Sequence, residues 1–115
     1  MTDQQKVHDW IAKTVAGNDV VLFMKGNKTQ PQCGFSATVA QILNHLGVPF
    51  KDVNVLADDA LRQGIKDYTN WPTIPQLYVK GEFIGGCDIV KEMFQDGDLH
   101  KLIHEKGIAH PAHAY

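Results

Sequence analysis

An α/β fold, with one mixed four-stranded sheet covered by helices on both faces, is the architecture the sequence predicts. Two observations predict it. In the first half, the strand-like stretches 20–25 and 50–55 flank Val39, Ile42, Leu43 and Leu46 at helical spacing. Those two strands can therefore pair parallel across a βαβ unit. In the second half, Gln76–Val79 and the Phe83-Ile84 pair sit on either side of Lys80-Gly81-Glu82, which adds an antiparallel hairpin to that sheet.

Each element follows from local chemistry. Residues 3–15 place Val7, Trp10, Ile11 and Val15 on one helical stripe, and Gly17-Asn18 closes that helix. The apolar run Val20–Met24, extended to Lys25, is a buried strand. A second helix runs from about Gly34 to Leu46 and stops at Gly47, and 50–55 alternates as a strand with one face on the core. Asp58 or Asp59 can cap a third helix that turns Leu61, Ile65 and Tyr68 inward. Gly64 inside that helix costs it roughly 1 kcal/mol. Pro72 and Pro75 forbid helix over 70–75. Gly85-Gly86-Cys87-Asp88 opens a fourth helix whose inward residues are Ile89, Val90, Met93 and Phe94. After a turn at Asp96-Gly97, an Asp98 cap starts a last helix carrying Leu99, Leu102 and Ile103, closed by Gly107. The packed domain is expected over residues 1–107, with 108–115 a disordered tail.

A chain of 115 residues supports one core. A net charge of −2 gives no reason to expect nucleic acid, and the apolar runs are far shorter than the ~18 residues of a membrane span. The N-terminus has neither the layout of a secretory signal nor that of a transit peptide, and two cysteines do not make a disulfide scaffold. A reducing cytoplasm is the expected compartment, with an organelle matrix after processing as the alternative.

Three stretches carry chemistry. Cys33-Gly34-Phe35-Ser36 lies at a strand-to-helix junction, where unpaired N–H groups stabilise a thiolate and lower its pKa from ~8.5. Lys25 and Lys28 add positive charge, Gly34 keeps the approach open, and Phe35 can pack the loop. Ser36 stands where a dithiol motif would put its second cysteine. Trp71-Pro72-Thr73-Ile74-Pro75 is either a plain two-proline loop or, with Pro75 in cis, a free backbone edge at Ile74 for an extended peptide. Gly85-Gly86-Cys87-Asp88 allows close backbone approach and a carboxylate at the helix start. Asp88 either caps that helix or receives an ammonium group, and Cys87 can equally be a small core residue. Arg62 and Lys66 are cations for the site or a solvated face. His100 and His104, with His110 and His113 in the tail, do not complete a zinc sphere and are read as solvated helix and tail.

Taken together, Lys25, Cys33-Gly34-Phe35-Ser36, Trp71-Pro72-Thr73-Ile74-Pro75-Gln76 and Gly85-Gly86-Cys87-Asp88 resemble the monothiol glutaredoxins of the CGFS type, whose fold is thioredoxin-like. The resemblance covers about residues 5–107. It implies glutathione as cofactor, held by Lys25, Arg62, Lys66, Thr73, Ile74, Pro75, Gly86, Cys87 and Asp88. It also implies a labile [2Fe–2S] cluster bridging a homodimer, with one Cys33 and one glutathione thiol from each side. Iron–sulfur apoproteins and a BolA-like protein are the partners it implies. The alternative is a glutathione-dependent thiol–disulfide oxidoreductase with Cys33 as nucleophile and weak activity.

Overall fold

The computed structural model describes residues 3–108. The chain runs α1 (Asp3–Gly17), β1 (Val20–Met24), α2 (Gly34–His45) and β2 (Lys51–Asn54), then a 3₁₀ turn at Val55–Ala57. It continues through α3 (Asp59–Thr69), β3 (Gln76–Val79), β4 (Glu82–Gly85), α4 (Cys87–Asp96) and α5 (Asp98–Glu105). The sheet order is β2-β1-β3-β4, with β1 and β2 parallel and both other pairings antiparallel. This is the mixed, two-faced sheet expected of a thioredoxin-like fold.

All five residues of β1 are buried, because the strand is covered on both faces. Val20, Leu22 and Met24 pack with Val39, Ile42 and Leu43 of α2, Val90 of α4, and Leu99 and Ile103 of α5. Val21 and Phe23 point the other way, into Ile11 and Val15 of α1 and Ile65 of α3. Strand alternation thus sorts one five-residue run between two helical layers.

Several boundaries differ from the sequence reading. Lys25 is not in β1: its N–H donates to the Ser36 hydroxyl oxygen (3.0 Å) and its carbonyl accepts from the Gln32 N–H (2.9 Å). β2 ends at Asn54, whose carboxamide accepts from the Leu56 N–H at 2.9 Å and starts the 3₁₀ turn. Of the two aspartates offered as the α3 cap, Asp58 is the one whose side chain accepts from the Ala60 and Leu61 N–H groups. Asp98 does not cap α5. Gly97, at φ 84°, closes α4 and opens α5, leaving Asp98 in the first turn, where its charge suits the helix dipole. The hairpin turn is Lys80-Gly81, both at positive φ as a type I′ turn requires, and Asp19 holds it by accepting from the Lys80 N–H and ammonium, each at 2.7 Å. Ile108 is 5% exposed and part of the core, so packing reaches one residue past Gly107. The rest of the expected tail, with His110 and His113, lies outside the described residues. Among the described residues no helix is long and apolar enough to cross a membrane.

Gly64 has a packing reason. A Cβ there would overlap Cγ1 of Val7, so its absence lets α1 and α3 lie close together. Valine in a helix is stiff at χ1 and cannot swing away. Gly64→Ala is therefore expected to lower stability by about 1 kcal/mol, because an overlap costing ~1–3 kcal/mol outweighs the ~1 kcal/mol gained in helix propensity. In a Val7→Ala background the same substitution should become stabilising. Urea denaturation of the four proteins tests both signs.

Candidate functional site

One cleft of about 550 Å³ collects the ends of four segments. Lys25 and Cys33 enter from the loop between β1 and α2, and Arg62 and Lys66 from one face of α3. Thr73, Ile74 and Pro75 form the wall before β3, and Gly86, Cys87 and Asp88 the wall at the start of α4. The structure thus brings Cys33 and every residue expected to hold glutathione to one place. The Ile74–Pro75 bond is cis, the second of the two readings of that loop. Gly86 lets the walls meet: a Cβ at that position would stand 3.2 Å from the Pro75 carbonyl oxygen and 3.5 Å from the Trp71 indole nitrogen.

Cys33 is the N-cap residue of α2, in extended conformation and partly exposed. Donation from the Ser36 N–H holds its thiol below the usual cysteine value. Partial desolvation works against this, while the Phe35 N–H, the Lys25 charge and the Ser36 hydroxyl add to it. Ser36 is fully buried, and its hydroxyl oxygen also accepts from the Lys25 N–H, so one side chain ties the loop's first residue to the thiol. Cys87 is the opposite case. Burial pushes its thiol up, and the Asp88 carboxylate adds to the effect. The two thiols share a cleft and differ in sign.

Three expectations fail here. Lys28 does not face Cys33. Its ammonium donates to the Phe50 carbonyl at 3.0 Å and lies 4.9 Å from the Phe50 ring centroid, and its N–H donates to Asp52 at 2.9 Å. The Asn27 carboxamide sets this direction by accepting from Thr29 and Gln30, which curls the loop toward β2. Phe35 does not pack the loop but stands 63% exposed at the cleft rim. Ile89 is not inward either; at 37% exposed it lines the same rim. Sequence reasoning also left out Trp71 and Pro72 as lining residues, though both fell in a stretch it had singled out.

The glutaredoxin family model matches residues 20–84. A monothiol glutaredoxin of Synechocystis sp. is 58% identical over 93 residues, which is 81% of this chain and 87% of that protein. The chain belongs to the glutaredoxin family, in its monothiol branch. Reduced apo glutaredoxin S14 of poplar superposes on this glutaredoxin with a TM-score of 0.80 at 49% identity, covering 92% of this chain and 97% of that one. A buckwheat glutaredoxin–glutathione complex gives a TM-score of 0.81 at 26% identity, covering 91% and 94%.

The two thiols should separate in a pH series of iodoacetamide alkylation read by mass spectrometry. Since the folded glutaredoxin favours the Cys33 thiolate and disfavours that of Cys87, Cys33 should reach half its maximal rate at the lower pH. Ser36→Ala should move the Cys33 midpoint upward without bringing it to the ordinary value, because the N–H donors remain. A Cys87 midpoint below that of Cys33 would overturn the assignment.

Proposed function

We propose that this glutaredoxin binds glutathione in the Cys33 cleft and that two copies carry a labile [2Fe–2S] cluster to iron–sulfur apoproteins. The observation that carries the reading is the make-up of the cleft: a thiol biased toward thiolate, three cations, an open backbone edge and a helix start. Glutathione is an extended tripeptide with two carboxylates, an ammonium and a thiol, and each group has a counterpart. Lys25 and Arg62 meet the glycyl carboxylate, Arg62 with a fork suited to bidentate contact and Lys66 as a further cation. Thr73 and Ile74, beside Pro75, offer backbone to the cysteinyl residue. The N–H groups at Gly86, Cys87 and Asp88 meet the γ-glutamyl carboxylate, and the Asp88 carboxylate meets the ammonium. The glutathione complex of the buckwheat relative supports this reading.

The cluster is cargo and takes four thiolates. Cys33 and one glutathione give two per copy, so two copies complete the set. Cys87, at the start of α4, is assigned to the glutathione pocket and not to the ligand set. Half the ligands are a diffusible molecule, which suits release to an apoprotein, and a BolA-like protein can take the place of one copy. The two free cysteines suit a reducing compartment, and the cytoplasm is proposed.

A second reading is favoured by the same partly exposed, lowered Cys33 thiol. In it, the Cys33 thiolate attacks the glutathione sulfur of a glutathionylated protein, and the protein leaves as its thiolate. A second glutathione thiolate then attacks the Cys33–glutathione disulfide, returning Cys33 and releasing oxidised glutathione. The Ser36 hydroxyl cannot resolve that disulfide, so turnover depends on free glutathione.

Anaerobic reconstitution decides between them. The carrier reading expects iron, sulfide and glutathione to rise together and the holo protein to elute as a dimer. Cys33→Ser should abolish cluster formation while Cys87→Ser retains it. Arg62→Ala should raise the glutathione concentration required by roughly tenfold, the loss of one charge-assisted contact, with excess glutathione restoring the cluster. A monomeric holo form without glutathione would return the oxidoreductase reading to first place.

A further inference from the structure

Gln76 and Ser36 are the buried polar residues of the described core, both fully inaccessible, yet Gln76 does not line the cleft. Both hydrogens of its side-chain amide are in use. One goes to the Trp71 carbonyl at 3.2 Å and the other to the Thr73 carbonyl at 3.3 Å. Those carbonyls belong to a proline-interrupted stretch that lies in no ladder, so Gln76 supplies the donors that a sheet would otherwise provide. The amide is itself oriented. The Tyr78 hydroxyl donates to its carbonyl oxygen at 3.2 Å, turning the nitrogen toward the loop. The other side of the Trp71 peptide is held as well, its N–H donating to the Thr69 hydroxyl oxygen at 3.2 Å, which in turn donates to the Ile65 carbonyl at 2.8 Å. A partly buried chain of hydrogen bonds thus runs from the end of α3, the helix that carries Arg62 and Lys66, to the backbone on either side of Pro72.

We propose that Gln76, oriented by Tyr78, is a positioning residue: it sets the backbone edge at Thr73 and Ile74 at a fixed distance from the α3 cations, so that both engage one extended peptide ligand. This rests on the glutathione reading above. Neither Gln76 nor Tyr78 touches the ligand. Burial keeps the Tyr78 phenol protonated far beyond the ordinary tyrosine range, so it remains a donor at any working pH.

The test is a glutathione titration of nitrogen-15-labelled apo protein, following the amide signals of Ile74 on the loop and Cys87 and Asp88 on α4. In the wild type all three should shift saturably. Gln76→Met keeps the side-chain length and removes the donors. It should weaken binding about tenfold, and at saturation the Ile74 shift should shrink while the Cys87 and Asp88 shifts persist. Tyr78→Phe should weaken binding roughly threefold in the same pattern, since the amide keeps its donors but loses its orientation. Wild-type affinity and a full Ile74 shift in Gln76→Met, whatever its melting temperature, would reduce Gln76 to a structural role and overturn the proposal. If Gln76→Met does not fold, the same result in Tyr78→Phe overturns it. A wild type with no saturable response would remove the glutathione reading, and this inference with it, before either variant is compared.

Discussion

Everything in this molecule depends on β1 being buried on both faces. A strand with no solvated side needs a helical layer above and below it, and a parallel neighbour needs a crossover helix. α1 and α3 supply one layer, α2, α4 and α5 the other, and α2 is the crossover. The arrangement leaves the region beyond the carboxyl end of β1 uncovered, because the chain must travel from there to the first turn of α2. Cys33 sits on that path. The thiol is partly exposed because of how the sheet is covered, and lowered because a helix begins directly beneath it.

The asymmetry between the two cysteines follows from the same geometry. Both stand at or next to a helix start and both line one cleft. Cys33 precedes its helix, so the N–H groups of Phe35 and Ser36 face its sulfur. Cys87 is already within α4, half covered and followed by a carboxylate, so the same dipole gives it no advantage over burial. One residue of offset at a helix start separates a thiol whose pKa is lowered from one whose pKa is raised.

Most of the fold was legible, because β1 is uniformly apolar and the helices carry their core residues at regular spacing. What escaped was decided by single side chains acting across loops. Asn54 ends β2 and receives the Gly26 N–H at 3.0 Å, a pairing of residues far apart in sequence that no periodicity announces. Asp98 lost the cap to Gly97 because a glycine at positive φ can close one helix and open the next. The site residues were legible as stretches but not as directions. Ile89 follows helical spacing and yet faces the rim, and Lys28 carries the expected charge to the opposite side of its loop. Gln76 was read as the end of a motif and the start of a strand but not as a donor to the loop, because the groups it donates to are carbonyls, which have no signature in sequence.

The loop before Cys33 also does something for β2. It touches that strand and its flank at alternate positions: Lys28 at the Phe50 carbonyl and the Asp52 carboxylate, Gly26 at the Asn54 carboxamide. β2 is an outer strand of the sheet, and outer strands invite a foreign strand to pair with them. The loop's contacts give β2, which is paired on one side only, a second anchorage. A slip of β2 by one residue would also break all three contacts together. The loop that presents the thiol therefore also locks the register of the strand beside β1.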